Sequence, residues 1–157
     1  MLNRNNTHFE ELKKIDSEYE KRKHALEEKK KEILDTYGWD SDEFKAWKED
    51  KEKLTYPIEA GACKAYRAWM YTIEREEDEV EMDDFLWEKE IDDFVDTLRK
   101  AGIASFIFTN QSTAVMENIH GFTAAGCTME GLCKIERIEK CFGKDRTEEI
   151  LGIRFSL

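Results

Sequence analysis

Two stretches of this 157-residue chain hold side chains that could do chemistry: a run of carboxylates at 74–96, and a histidine with hydroxyls and thiols at 112–141. The first contains thirteen acids against two bases, Arg75 and Lys89, a net −11 that equals the net charge of the whole chain. Glu76, Glu77, Asp78, Glu79, Glu81, Asp83 and Asp84 fall within nine residues. Carboxylates this dense repel one another at low salt, so holding them in a folded connection costs stability that a cationic partner would offset. The plain reading is a solvated loop leading into a helix whose dipole favours acids near its start. The sharper reading is an acidic ridge built to meet a basic surface, with Glu74, Glu76, Glu77, Asp78, Glu79, Glu81, Asp83, Asp84, Glu88 and Asp92 as its contacts. The pairs Asp83–Asp84 and Asp92–Asp93 could chelate a divalent ion, but no spacing resembles a calcium loop.

Near the second stretch, Thr113, Glu117 and His120 are spaced to lie along one side of a helix. Ser112 stands about two turns from His120 on another azimuth, too far for a nucleophile–base hydrogen bond within one helix. His120, Cys127, Cys133 and Cys141 are four potential zinc ligands, separated by seven, six and eight residues. That spacing matches no knuckle or ribbon, and four cysteines in these contexts read as buried or idle thiols of a reducing compartment. No phosphate-binding loop, dinucleotide fingerprint or nucleophile elbow is present. The expectation is a non-enzymatic protein with no catalytic residues, metal or cofactor. Direct nucleic-acid binding is disfavoured, because Lys29, Lys30 and Lys31 are interleaved with Glu on both sides, and a phosphate-binding face needs net positive charge.

The elements that must position these residues can be read from periodicity. Thr7-x-x-Glu10 has the form of a capping box and predicts that a long helix begins at Thr7, with Gly38 as its stop. Leu12, Tyr19, Leu26 and Ile33 recur every seven residues along it, amid dense Lys and Glu. A stripe that narrow suits an exposed helix or a self-association seam. A second helix is predicted over 41–54, and a third from Pro57, whose ring suits a first helical turn. The third has a broad apolar face of Ile58, Ala62, Tyr66, Trp69, Met70 and Ile73. Residues 74–82 read as an acidic connection, and 83–100 as a helix closed by Gly102. Strands are predicted at 103–109, 128–138 and 150–155, with a helix over 112–125 and a turn at 142–145. The fold class is therefore α+β: a charged helical extension over 1–56, then a core over 57–157 reading helix–β–α–β–β. Its small three-stranded mixed sheet would include a parallel crossover between the first two strands.

Composition supports a folded chain, since charged residues reach 39% but four Trp, nine Phe and five Tyr are far from the profile of disorder. The polar N-terminus and the absence of a 20-residue apolar run predict a cytoplasmic protein with no membrane partner.

The stretch Phe85-Leu86-Trp87-Glu88-Lys89-Glu90-Ile91, then Leu98-Arg99-Lys100-Ala101-Gly102-Ile103, and later Gly126-Cys127-Thr128-Met129-Glu130-Gly131-Leu132, resembles an uncharacterised family. Its members are small proteins from mobile elements and phage-related islands of gut Firmicutes. The likeness covers residues 60–157, and the N-terminal helical part is variable or absent in such proteins. It implies a setting in which small acidic proteins inhibit host defence, as anti-restriction and anti-CRISPR proteins do, some by offering carboxylates where a nuclease expects phosphates. The first functional expectation is thus an inhibitor that presents the acidic ridge to a basic surface of a nucleic-acid-binding protein, a CRISPR or restriction nuclease. The second is a helical adaptor acting through Leu12, Tyr19, Leu26 and Ile33, as a homodimer or with a partner helix.

Overall fold

A computed structural model describes residues 2–157, without the side chains of 139–141. Five helices and four strands follow in the order α1 Thr7–Thr36, α2 Asp42–Lys53, α3 Ala60–Glu74, β1 Val80–Met82, α4 Glu88–Lys100, β2 Ser105–Phe108, α5 Val115–Ala124, β3 Thr128–Cys141 and β4 Lys144–Ser156. The chain divides into a helical unit, Glu10–Ile58, and an α+β unit made of the residues up to Phe9 together with Glu59–Leu157. The fold class is α+β, with helices preceding a mixed sheet.

In the helical unit, Ser41 caps α2 by accepting from the Phe44 amide at 3.1 Å. Ile33, Phe44 and Trp47 are buried together, with Leu26 and Leu34 packed against them, and the Trp47 indole donates to the Leu26 carbonyl at 2.7 Å. Tyr19 meets Tyr56 edge-on at 4.9 Å, and the Tyr56 hydroxyl bonds Asp16. Leu12 is half-buried. Much of the seven-residue stripe, which a coiled-coil partner would need, is thus engaged within the chain: Ile33 retains 7% of its surface.

In the α+β unit the cap of α1 is Asn6, not Thr7. The buried Asn6 carboxamide accepts from the Phe9 amide at 3.2 Å and donates to the Ala101 carbonyl at 2.7 Å. Phe9 then stacks on Trp69 of α3 at 4.8 Å, which is why the first residues belong with this unit and not with the helical one. Pro57 lies ahead of α3, whose cap position is Glu59.

The sheet has four strands, one more than expected, in the order β1-β2-β4-β3. The added strand is β1, inside the presumed acidic connection. It runs parallel to β2, with α4 as the crossover between them. β4 lies antiparallel between β2 and β3, so β2 and β3 share a direction but do not pair. Val80, Met82, Phe106, Phe108 and Phe155 lie on one face of the sheet, where Phe94 of α4 and Phe122 of α5 meet the sheet phenylalanines at 5.0–5.4 Å and each other at 6.0 Å. Burying each of these rings stabilises the fold by roughly 2–3 kcal/mol.

The other face carries Glu79, Glu81, Ser105, Thr109 and Arg154 around the buried Ile107. Arg137 on β3 reaches Glu81 on β1, although three strand spacings of about 4.8 Å separate those strands in a flat sheet. The β3–β4 hairpin must therefore curl across this face. Gly152 permits the bend, since a Cβ there would lie 2.5 Å from Ile107 Cγ2. Thr72 of α3 guards the β1 edge, its hydroxyl accepting from the Glu81 amide at 3.0 Å. Among the described residues, no helix is long and apolar enough to cross a membrane.

Candidate binding surface

The acid-rich segment separates into carboxylates that the fold consumes and carboxylates that it exposes. Glu79 accepts a forked pair of hydrogen bonds from Arg154, at 3.1 and 2.6 Å, and one from Ser105 at 2.8 Å. Burial works to raise its pKa, but those donors outweigh it and hold the carboxyl below its usual range. Glu81 accepts from Arg137, from Arg75 at 3.2 Å and from Thr109 at 2.8 Å. Only 2% of Glu81 is exposed, so it is an internal anchor of the sheet and is removed from the expected contact set. Glu90, also buried, bonds the Trp87 amide at 3.0 Å and pairs with Lys64 at 2.9 Å. Burial again opposes ionisation there, and the Lys64 and Trp87 hydrogen bonds prevail, lowering the pKa.

Glu74, Glu76, Asp78, Asp83, Asp84, Glu88 and Asp92 are exposed, and Glu77 is half-buried. Arg4 lies 3.8 Å from Glu76, Arg75 3.6 Å from Asp83 and Lys64 3.5 Å from Asp84. Among the described residues, no cation pairs with Glu74, Glu88 or Asp92. Glu76 also departs from ordinary backbone geometry, with φ +59°. It is the left-handed residue of a Schellman motif: its amide bonds the Ile73 carbonyl and the Glu77 amide bonds that of Thr72. The same motif closes α4 at Gly102 and α5 at Gly126, where the chain uses glycine.

Beside this ridge runs a groove of about 750 Å³ between the 85–92 segment and α5. Phe85 and Trp87 form its aromatic shelf, their rings edge-to-face at 5.0 Å, and Trp87 is 60% exposed. Asn118 fixes the shelf. This buried α5 side chain accepts from the Leu86 amide at 2.9 Å and donates to the Leu86 carbonyl at 2.6 Å. Lys64 supports it from below, donating to the Phe85 carbonyl at 2.7 Å with its ammonium 4.9 Å from the Phe85 ring centre. Ile91, Gly121 and Ala124 contribute apolar lining, and Glu88, Asp92 and Glu117 contribute carboxylates.

Ser112, Thr113, Glu117 and His120 all line this groove, although Ser112 and Thr113 precede the start of α5. His120 makes no hydrogen bond to the other three among the described residues, so no nucleophile–base pair is assembled. Cys127 is buried and Cys133 half-buried, and burial pushes both thiols up, away from the reactive thiolate. The side chain of Cys141, the fourth suggested zinc ligand, lies outside the described residues. Among those described, no three His, Cys, Asp or Glu side chains form a group that could hold a metal.

Sequence reasoning passed over Asn118, yet a signal existed. Val115, Asn118 and Phe122 share helical spacing, so a carboxamide on the apolar side of α5 had to find buried partners.

A family model described as a domain of unknown function, DUF7698, matches residues 64–157. No curated protein and no solved structure matches the chain.

Proposed function

The chain belongs to the DUF7698 family, and for this member we propose a non-enzymatic binding role: its acidic ridge occupies a basic, nucleic-acid-contacting surface of another protein. The carrying observation is the division of labour among the carboxylates. Glu79, Glu81 and Glu90 are neutralised by Arg154, Arg75, Arg137 and Lys64, and so pin the segment to the sheet and to α3. Their neighbours, Glu74, Glu76, Asp78, Asp83, Asp84, Glu88 and Asp92, stand exposed on that pinned frame. A preorganised array of carboxylates loses little entropy on meeting guanidinium and ammonium groups, which a solvated flexible loop would.

Glu76 supports the same reading. A non-glycine residue in the left-handed region costs roughly 1 kcal/mol, yet a carboxylate stands there. The partner this surface suits is a CRISPR or restriction nuclease, whose phosphate-binding groove the ridge would mimic. The setting would be the bacterial cytoplasm, with the protein encoded on a mobile element. The test is competition: duplex DNA and this protein should exclude one another from the nuclease, and a ternary complex would refute mimicry. The adaptor reading gains no comparable support, because Ile33 and Leu26 are occupied by α2.

A further inference from the structure

The groove beside the ridge has a chemistry of its own. It joins an exposed indole, an apolar lining and three carboxylates on two elements, Glu88 and Asp92 on α4 and Glu117 on α5. No lysine or arginine lines it. Lys64, which supports the shelf, is already committed to Phe85, Asp84 and Glu90, and Trp87 stays exposed.

We propose that this groove takes an arginine-bearing segment of the partner protein. The guanidinium stacks on Trp87 within reach of the Glu88, Asp92 and Glu117 carboxylates, and a neighbouring aliphatic side chain enters the apolar lining at Ile91, Gly121 and Ala124. Charge complementarity selects a cation, and the planar indole selects arginine over lysine, because guanidinium stacks and forks where ammonium does not. Gly121 keeps the floor low: a Cβ there would sit 2.1 Å from Ile91 Cδ1, so any larger residue would displace the Ile91 side chain. The inference rests on the binding role proposed above and adds the specificity that a uniform field of carboxylates lacks.

The experiment follows the ¹H–¹⁵N spectrum of the full chain during titration with the peptide acetyl-Gly-Leu-Arg-Leu-Arg-Gly-amide. A citrulline version, isosteric but uncharged, serves as the control. The Trp87 indole signal is assigned from Trp87→Phe. The arginine peptide should saturably shift that indole and the Gly121 and Ala124 amides, binding about tenfold tighter than the citrulline peptide. Ala124→Trp fills the groove from an exposed helical position without altering charge, and should abolish the shifts. Glu88→Gln/Asp92→Asn should weaken them. Glu74→Lys/Glu76→Lys, outside the groove, should leave peptide affinity within about twofold, allowing for long-range screening. Absence of shifts at millimolar peptide, equal shifts with citrulline, or shifts surviving Ala124→Trp would each overturn the proposal. Nuclease capture separates the two ideas. Capture lost with Glu74→Lys/Glu76→Lys but intact with Ala124→Trp sinks the groove and leaves the ridge, and the reverse pattern sinks the ridge.

Discussion

Arg137 on β3 donates to the buried carboxylate of Glu81 on β1, joining the two outermost strands of the sheet. Arg75 and Thr109 complete the set of donors on Glu81. Removing the carboxylate strands Arg137, of whose side chain only 24% is exposed, without its partner. Glu81→Ala should lower stability by about 3 kcal/mol in urea unfolding, the usual scale for breaking a buried pair. A loss below about 0.5 kcal/mol, typical of a surface site, would contradict the internal role.

Glu76 stands where Gly102 and Gly126 stand in the other two Schellman motifs. Glu76→Gly should raise stability by about 1 kcal/mol and, by removing a ridge charge, weaken partner binding. Gly102→Ala should move stability the other way. Space is no obstacle there, as nothing lies within 4 Å of the added Cβ, so the cost is conformational. A Glu76→Gly protein no more stable than wild type would remove the argument that the carboxylate is held at a cost.

Glu77 is pushed up to about 7, first by burial and then by the neighbouring Glu81 charge. A raised acid pKa means that the folded state holds its proton more tightly than the unfolded chain. The stabilisation is complete below pH 4.5 and is lost as pH rises towards and through 7. The melting temperature of wild type relative to Glu77→Gln should therefore fall between pH 5 and pH 8. A difference that stays flat or rises over that span would contradict the assignment.

Asn118 satisfies both backbone groups of Leu86 and so holds the segment bearing Phe85 and Trp87. Asn118→Ala would leave the Leu86 amide and carbonyl unpaired and should cost about 2 kcal/mol. Thr123→Ala, on the exposed side of the same helix, should stay within about 0.5 kcal/mol. Equal effects of the two substitutions in a denaturant series would show that Asn118 is not the clamp.

The helices were legible because their signals are local. The apolar spacing along α3 and the glycines after α4 and α5 are each visible within a few residues. β1 was not, for a physical reason. Val80 and Met82 alternate with Glu79 and Glu81, and a strand with carboxylates on its inner polar face looks like a solvated loop until Arg137 and Arg154 are known to reach it. Those partners lie 56 and 75 residues downstream. The same blindness assigned Glu81 to the surface. The start of α4 moves from the expected Asp83 to Glu88, because residues 83–87 run ahead of the helix, with Phe85 and Trp87 as the shelf, and the Glu90 side chain caps it. The cap of α1 was misplaced by one residue because Asn6 finds its second partner, Ala101, far along the chain. Strand order escaped for a similar reason: β2, α5 and β3 are consecutive, but β4 enters between the strands through the hairpin register.

The most direct test of the ridge as a functional surface is a salt-dependent affinity measurement. Wild type and Glu74→Lys/Glu76→Lys/Asp78→Lys would be titrated against a panel of purified CRISPR and restriction nucleases at about 50 and 300 mM salt, where screening differs strongly. The account predicts that wild type binds a member of the panel, loses at least about tenfold in affinity at the higher salt, and loses binding altogether in the triple variant. Binding indifferent to salt and to the three reversals, or no binding to any nuclease, would contradict it.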